Sequence, residues 1–348
     1  MRRGMRQCFV SIILLSLFIA GCGNPAAPEG SSIPSMESTP SEDTTQVSLV
    51  VENPEYEAAP GTSEAAKEAP AGAKADFESY QAPPFADSAF HAEHAQGNDK
   101  VKIDLDHANQ GYIGVSGQSD TGIKLQVFIG EMEYRYNVPA DGTPVIFPLQ
   151  EGDGTYTIKA NEKVEDTKYR PLFTLDCEVK LDDEFQPFLR PSAYVDYDQD
   201  SECVKLAAQL AAGEEDALGV VGAVFEYICD NIVYDKEKAQ MVQTTTGYMP
   251  VLDDTLRTGK GICFDYASLV AGMLRSQGIP TKMVFGDVSP DDIYHAWNMF
   301  YTEETGWVTV KYEVKADSWN RLDLTFSANG ADSSFIGDGA NYLDEKYY

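Results

Sequence analysis

From about residue 88 to residue 190, apolar and polar positions alternate. The runs "VKIDLD" (101–106), "GYIGVSG" (111–117), "IKLQVFIG" (123–130), "EYRYNV" (133–138), "PVIFPL" (144–149), "TYTIKANEKV" (155–164) and "PLFTLDCEVKL" (171–181) are separated by Gly, Asp, Asn and Pro. Successive side chains of a strand point to opposite faces, so each run predicts a strand with one buried face. Short strands with turn residues between them predict an antiparallel β-sandwich over residues 88–195.

The period changes near residue 201. "CVKLAAQLAAG" (203–213) predicts a helix ended by Gly213, and "DALGVVGAVFEYICDNI" (216–232) a second one. The latter carries Val220, Val221, Val224, Phe225, Ile228 and Ile232 on one face. A third helix runs from about Cys263 to Gln277 and is stopped by Gly278 and Pro280. Then come the strands "TKMVFGDV" (281–288), "YHAWNMFYT" (294–302), "GWVTVKYEV" (306–314) and "WNRLDLTF" (319–326). Helices followed by antiparallel strands predict an α+β domain over residues 196–348. The sandwich before it is expected to be of immunoglobulin-like type, with about seven strands.

The N-terminus adds a compartment. Arg2, Arg3 and Arg6 precede an apolar stretch from Phe9 to Ala20. That stretch is shorter than the roughly 20 residues needed to cross a bilayer and has the length of a signal h-region. It ends in Ile19-Ala20-Gly21-Cys22, which resembles a bacterial lipobox. The resemblance implies removal of residues 1–21, a lipid on the Cys22 sulfur, and a chain anchored at the extracytoplasmic face of the cell membrane. Residues 22–87 are rich in Pro, Ala, Ser and Glu and cannot bury enough apolar surface to offset their ordering entropy. They are expected to form a disordered tether with an r.m.s. span of about 40–50 Å.

Charge excludes one class of partner. The net charge of -30 at pH 7 repels phosphate backbones, so nucleic acid is not expected to bind. The chain is expected to be a monomer. "DYDQDSE" (196–202) spaces acids like the start of a calcium loop, but Ser201 stands at the sixth position and Ala207 at the twelfth, so the pattern fails. No metal site is assigned. His91 and His94 have no cysteine or carboxylate cluster beside them in sequence, and with His107 they read as exposed loop histidines.

Beyond the export segment the cysteines are Cys177, Cys203, Cys229 and Cys263, too few for a disulfide framework. Cys177 lies on the apolar side of a strand and Cys229 on an apolar helix face. Cys203 begins a helix, and a disulfide among these three stays open. Cys263 stands apart, directly behind the glycine-rich "TGKG" and at the start of a helix. Free N–H groups and the helix macrodipole favour an anion there, which predicts a lowered thiol pKa. The same N–H groups can serve an oxyanion. A nucleophile needs a base, and His295 is the sole histidine after residue 107. Strand alternation puts it on the same face as Trp297. A third group must orient the imidazole. Asp323, on one face with Trp319 and Arg321, is the better candidate, and Asp317 the alternative.

"GKGICFDYASLVAGMLRSQGIPTKMVFG", "YHAWNMFY" and "WNRLDLTFSA" together resemble the three blocks of the transglutaminase-like superfamily. The resemblance covers roughly residues 215–328 and implies a papain-like α+β core with a Cys-His-Asp triad. Carried over, Cys263 matches the nucleophile, His295 the base and Asp323 the orienting acid. Leu324 stands where the family usually has proline, and the interval from His295 to Asp323 is longer than common. Tyr234 is expected either at the oxyanion region or packed under the helix, Trp297 either at the substrate channel or in the core. Asp265 is expected either in the site or as a first-turn carboxylate.

The implied function is a thiol acyl-transfer enzyme at the cell surface that attacks a carboxamide, forms a thioester and needs no cofactor. Water would complete hydrolysis of a peptide or amide, and an amine would complete a cross-link. The alternative is a surface binding or adhesion module whose triad is unused.

Overall fold

The computed structural model of the chain describes residues 79–165, 168–288, 293–310, 312–313, 323–324 and 342–348, all within the compact unit Gln46–Tyr348. The expected export segment, Cys22 and most of the expected tether lie outside the described residues.

The alternating segments form β1 (Gln96–Gly97), β2 (Val101–Asp104), β3 (Tyr112–Gly117), β4 (Ile123–Ile129), β5 (Met132–Val138), β6 (Val145–Pro148), β7 (Gly154–Glu165) and β8 (Lys168–Val179). They make two four-stranded antiparallel sheets, in the orders β1-β2-β3-β6 and β5-β4-β7-β8. Alternate residues supply the core between them: Val101 and Ile103 of β2, Ile113 and Val115 of β3, and Ile123, Leu125 and Val127 of β4 are all buried. The two-residue period is clearest on β4, β5 and β7, where buried residues alternate with more exposed ones.

The second half runs α1 (Glu202–Ala211), α2 (Ala217–Asn231), β9 (Val233–Tyr234), α3 (Lys236–Thr244), α4 (Leu252–Thr258), β10 (Lys260–Gly261), α5 (Cys263–Ser276), β11 (Thr281–Val288), β12 (Ile293–Thr302), β13 (Gly306–Val310), β14 (Tyr312–Glu313), β15 (Asp323–Leu324) and β16 (Tyr342–Tyr347). A four-stranded antiparallel sheet has the order β13-β12-β11-β16. Helix α5 packs against β11 and β12 and against α1, α2 and α4. Surrounded in this way, it is buried from Asp265 through Ser276. Its apolar content, with Tyr266, Leu269, Val270, Met273 and Leu274 all sealed from solvent, is what a helix needs in that position.

Several elements were not legible in the pattern, among them α3, α4 and β16. Helix α3 buries no residue and so has no apolar stripe; its start is fixed by Asp235, whose carboxylate accepts the Lys238 N–H at 2.9 Å. Helix α4 is short. Strand β16 has the mixed sequence "YLDEKY" but completes the sheet beside β11. Residues 79–87, expected at the end of the tether, lie on the folded part instead. Tyr80 donates its N–H to the Glu214 carbonyl at 2.7 Å and its hydroxyl to the Gln277 carbonyl at 2.8 Å, and Phe85 meets Tyr197 edge-on. Two aromatic side chains give this short stretch the apolar surface that the preceding composition lacks.

The β-rich half and the helical half share a core. Tyr348 contacts the rings of Tyr134, Tyr136 and Phe285 at centroid distances of 5.4, 5.7 and 5.2 Å. Phe264, the second residue of α5, meets Tyr194 and Phe285 at 5.4 and 5.2 Å. Among the described residues no disulfide forms: Cys177, Cys203 and Cys229 are buried, and Cys263 is partly exposed.

Candidate active site

The "TGKGIC" stretch builds a helix start in four steps. Gly259 ends α4 in the left-handed conformation, φ 63° and ψ 26°, which glycine adopts without strain. Lys260 and Gly261 then pair in parallel with Val233 and Tyr234. A side chain at Gly261 would bring its Cβ within 2.8 Å of the Asp265 Cβ, so only glycine leaves room for that carboxylate. Ile262 is the extended N-cap residue, and Cys263 opens the helix.

Asp265 anchors this start. Fully buried, it accepts the Ile262 N–H at 2.8 Å, the Lys238 ammonium at 3.0 Å and the Tyr248 hydroxyl. Its role therefore exceeds that of a first-turn carboxylate on the dipole: it ties α3 and the loop at Tyr248 to the residue before the cysteine. Burial, followed by the bond to Asp265, pushes the Tyr248 hydroxyl up to about 12. Sequence reasoning missed Lys238 and Tyr248, which share no periodicity with α5.

The thiol of Cys263 is raised from its ordinary value, first because burial penalises the thiolate and then because Asp265 is near. Main-chain N–H groups of Ala296, Phe264 and Cys263 itself act in the opposite direction. The sequence led to the expectation of a lowered pKa. The helix N-terminus does supply its N–H groups, but loss of water outweighs them, so the resting group is a thiol.

His295 lies on β12 opposite Gly286 of β11. It is half-buried, and desolvation lowers it from 6.5 to about 4. At neutral pH it is a free imidazole able to take a proton. The main-chain N–H of Ala296 is near enough to the Cys263 sulfur to lower its pKa, so the nucleophile candidate lies close to the residue next to His295. Trp297 is 2% exposed and belongs to the core; its ring lies nearly parallel to that of His295, 23° apart in plane and 6.4 Å between centroids. Asn298, wholly buried, donates its amide to the Ala267 carbonyl of α5 at 3.0 Å and to the Lys282 carbonyl at 3.3 Å. This amide fastens β12 to the cysteine helix, and nothing in the strand's alternation pointed to it.

Tyr234 is half-buried against the helical core. Its hydroxyl is raised by burial and then by Cys263, so the phenol lies within electrostatic reach of the sulfur. Asp323 sits on β15, paired with Glu313 of β14; its side chain lies outside the described residues, as does Asp317 altogether.

Residues 204–312 match the family model described as the transglutaminase-like superfamily. An uncharacterised protein of Mycobacterium leprae (strain TN) is 26% identical over 200 residues, 53% of this chain and 67% of that protein. Among solved structures, a candidate cysteine protease from Cytophaga hutchinsonii has 18% identity and a TM-score of 0.33, over 73% of this chain and 81% of its own. Red sea bream transglutaminase has 12% identity and a TM-score of 0.27, over 57% and 47%. The structural likenesses are too distant to add to the family match. Tyr234, Cys263 and His295 lie inside the matched span, and Asp323 lies beyond it. The span that matches the transglutaminase-like superfamily, residues 204–312, is built around the helix that begins at Cys263.

Proposed function

We propose that the protein is a thiol acyl-transfer enzyme acting on carboxamides of proteins or peptides, held at the extracytoplasmic face of the membrane by a lipid on Cys22. The observation that carries this reading is the seating of Cys263 at the N-terminus of α5, inside the span that matches the transglutaminase-like family, with the main-chain N–H of Ala296, the neighbour of His295, near enough to lower its pKa. His295 takes the Cys263 proton as the sulfur attacks the carboxamide carbon. The N–H groups around the sulfur are the donors this reading assigns to the oxyanion. When the carbon–nitrogen bond breaks, the imidazolium returns its proton to the departing amine, leaving a thioester. Water then gives hydrolysis and a second amine gives transfer. Asp323 is assigned the orienting role, and the β-rich half that of an immunoglobulin-like module carrying the enzyme.

Because the resting pair is neutral, the base should accelerate reaction of the thiol rather than merely tolerate it. Alkylation of Cys263 by iodoacetamide at pH 7.5, followed by mass spectrometry, tests this. The proton-accepting step assigned to His295 is worth about 10²–10⁴-fold, so His295→Ala should slow labelling by at least about tenfold, and Asp323→Asn by less. Equal labelling of wild type and His295→Ala would overturn the reading and favour a binding module with an idle thiol. Hydroxylamine added with glutamine-containing peptides should trap the thioester as a hydroxamate in wild type and not in Cys263→Ala.

A further inference from the structure

The chain has four histidines, and three of them meet far along the sequence from the fourth. His91 and His94 lie on the turn that leads into β1, and His107 follows β2. The ring of His91 is 5.8 Å from that of His94 and 5.1 Å from that of His107, which in turn stacks on Tyr112 at 5.0 Å and 16°. The strand β2 delivers what the local sequence lacks, a pair of carboxylates. Asp106 hydrogen-bonds Nδ1 of His94 and lies 3.4 Å from Nδ1 of His91. One donor atom from each of His91, His94 and Asp106 falls within 4.8 Å of the others.

Asp104 organises the group. It is 2% exposed; one oxygen accepts the His91 main-chain N–H at 2.7 Å and the other accepts the Asp106 N–H at 3.0 Å. A single buried carboxylate thus sets the backbone of two of the three donor residues. Among the described residues, the Nδ1 of His91 is shielded from solvent and has no hydrogen-bond partner. A buried unpaired ring nitrogen is costly unless something occupies it.

We propose that His91, His94 and Asp106 bind a divalent transition-metal ion of the zinc class, with Asp104 as the residue that positions them. Two imidazoles and one carboxylate suit zinc and its neighbours, whereas calcium and magnesium take oxygen ligands almost throughout. With metal–ligand bonds of about 2.0–2.1 Å, a tetrahedral site separates its ligand atoms by roughly 3.3 Å. The separation of 3.4 Å between His91 Nδ1 and Asp106 Oδ2 is close to that value. The ion would take the place of the proton that His94 shares with Asp106, and the His94 side chain, 57% exposed, is free to move outward to admit it. Water supplies the fourth ligand. So bound, the ion would fasten the segment leading into the sandwich to β2.

Zinc titration of the full chain, chelator-treated and with its accessible thiol alkylated, tests the site. Calorimetry should show one equivalent of Zn²⁺ bound at micromolar affinity or better, and Zn²⁺ should raise the melting temperature of the wild type. His94→Ala and Asp106→Asn should each weaken binding by at least about tenfold and remove the melting shift, and Asp104→Asn should weaken it by about 10–100-fold. Asp106 and His94 are exposed, so these two variants should keep the wild-type circular dichroism spectrum; where one does not, the other is read alone. Failure of the wild type to bind Zn²⁺ at about 100 μM, or equal binding by wild type and both exposed-site variants, would overturn the proposal and leave an ordinary surface histidine–carboxylate pair.

Discussion

Replacing Asp265 by alanine removes a wholly buried carboxylate that three donors share. The Ile262 N–H loses its cap, the Tyr248 hydroxyl loses its acceptor, and the Lys238 ammonium, on a side chain 22% exposed, loses its only ion-pair partner among the described residues. Removing one member of a buried pair costs about 3–5 kcal/mol, largely because the other charge stays desolvated. Lys238 can turn partly to water, which places the expected cost near the lower end, about 3 kcal/mol. For a folded part of this size, about 2–4 °C of melting temperature accompanies each kcal/mol, so Asp265→Ala should melt about 6–12 °C below wild type. Asp265→Asn keeps one acceptor for the Ile262 N–H and should lose roughly half as much. Lys238→Met alone strands the carboxylate, whereas Asp265→Ala in a Lys238→Met background strands nothing charged. Calorimetric melting of the four proteins should therefore give a coupling of about 1–2 kcal/mol. Additive effects, or an Asp265→Ala melting temperature within about 2 °C of wild type, would refute the view that this carboxylate holds the start of the cysteine helix in place.

Acidification should destabilise the protein in part through His295. Its folded value lies near 4 against an ordinary 6.5, so between those limits the unfolded chain binds the extra proton and stability falls as pH drops. Urea unfolding at pH 7 and pH 5 should show a smaller loss in His295→Gln than in wild type; an equal loss would place the effect elsewhere. Asn298→Ala removes a buried donor to two main-chain carbonyls and should cost about 1–3 kcal/mol, measurable by urea unfolding, while slowing alkylation of Cys263. Gly261→Ala forces a methyl into the space beside Asp265 and should cost about 1–3 kcal/mol, with a slower alkylation rate as its second readout.

Periodicity carried most of the fold. The runs of alternating residues became β2 to β8, and the change to a 3.6-residue period at residue 201 marked α1, α2 and α5. Elements without a buried stripe escaped it. Helix α3 has no core face to advertise, and β16 earns its place by pairing with a strand some sixty positions earlier. At the site, Cys263 and His295 were legible because chemistry singles them out: one cysteine behind glycines, one histidine in the second half. Their electrostatics were not, since the competition between helix N–H groups and lost water depends on how deeply the sulfur sits. The same holds for Asp104 and Asp106, which reach His91 and His94 only through the turn back from β1 into β2. Lys238, Tyr248 and Asn298 are polar residues whose partners lie on other elements, and no local pattern encodes that.

The aromatic seam around Tyr348 bears on how the protein could have been assembled in evolution. Tyr134 and Tyr136 of β5 reach Phe264, the neighbour of Cys263, through Tyr348 and Phe285. A β-rich half joined only by a flexible hinge could be lost, duplicated or exchanged while the thiol kept its setting. Here, transplanting the helical half alone would strip one wall from the start of its cysteine helix. The two halves should therefore be inherited together, with substitutions on β5 compensated by changes around Tyr348.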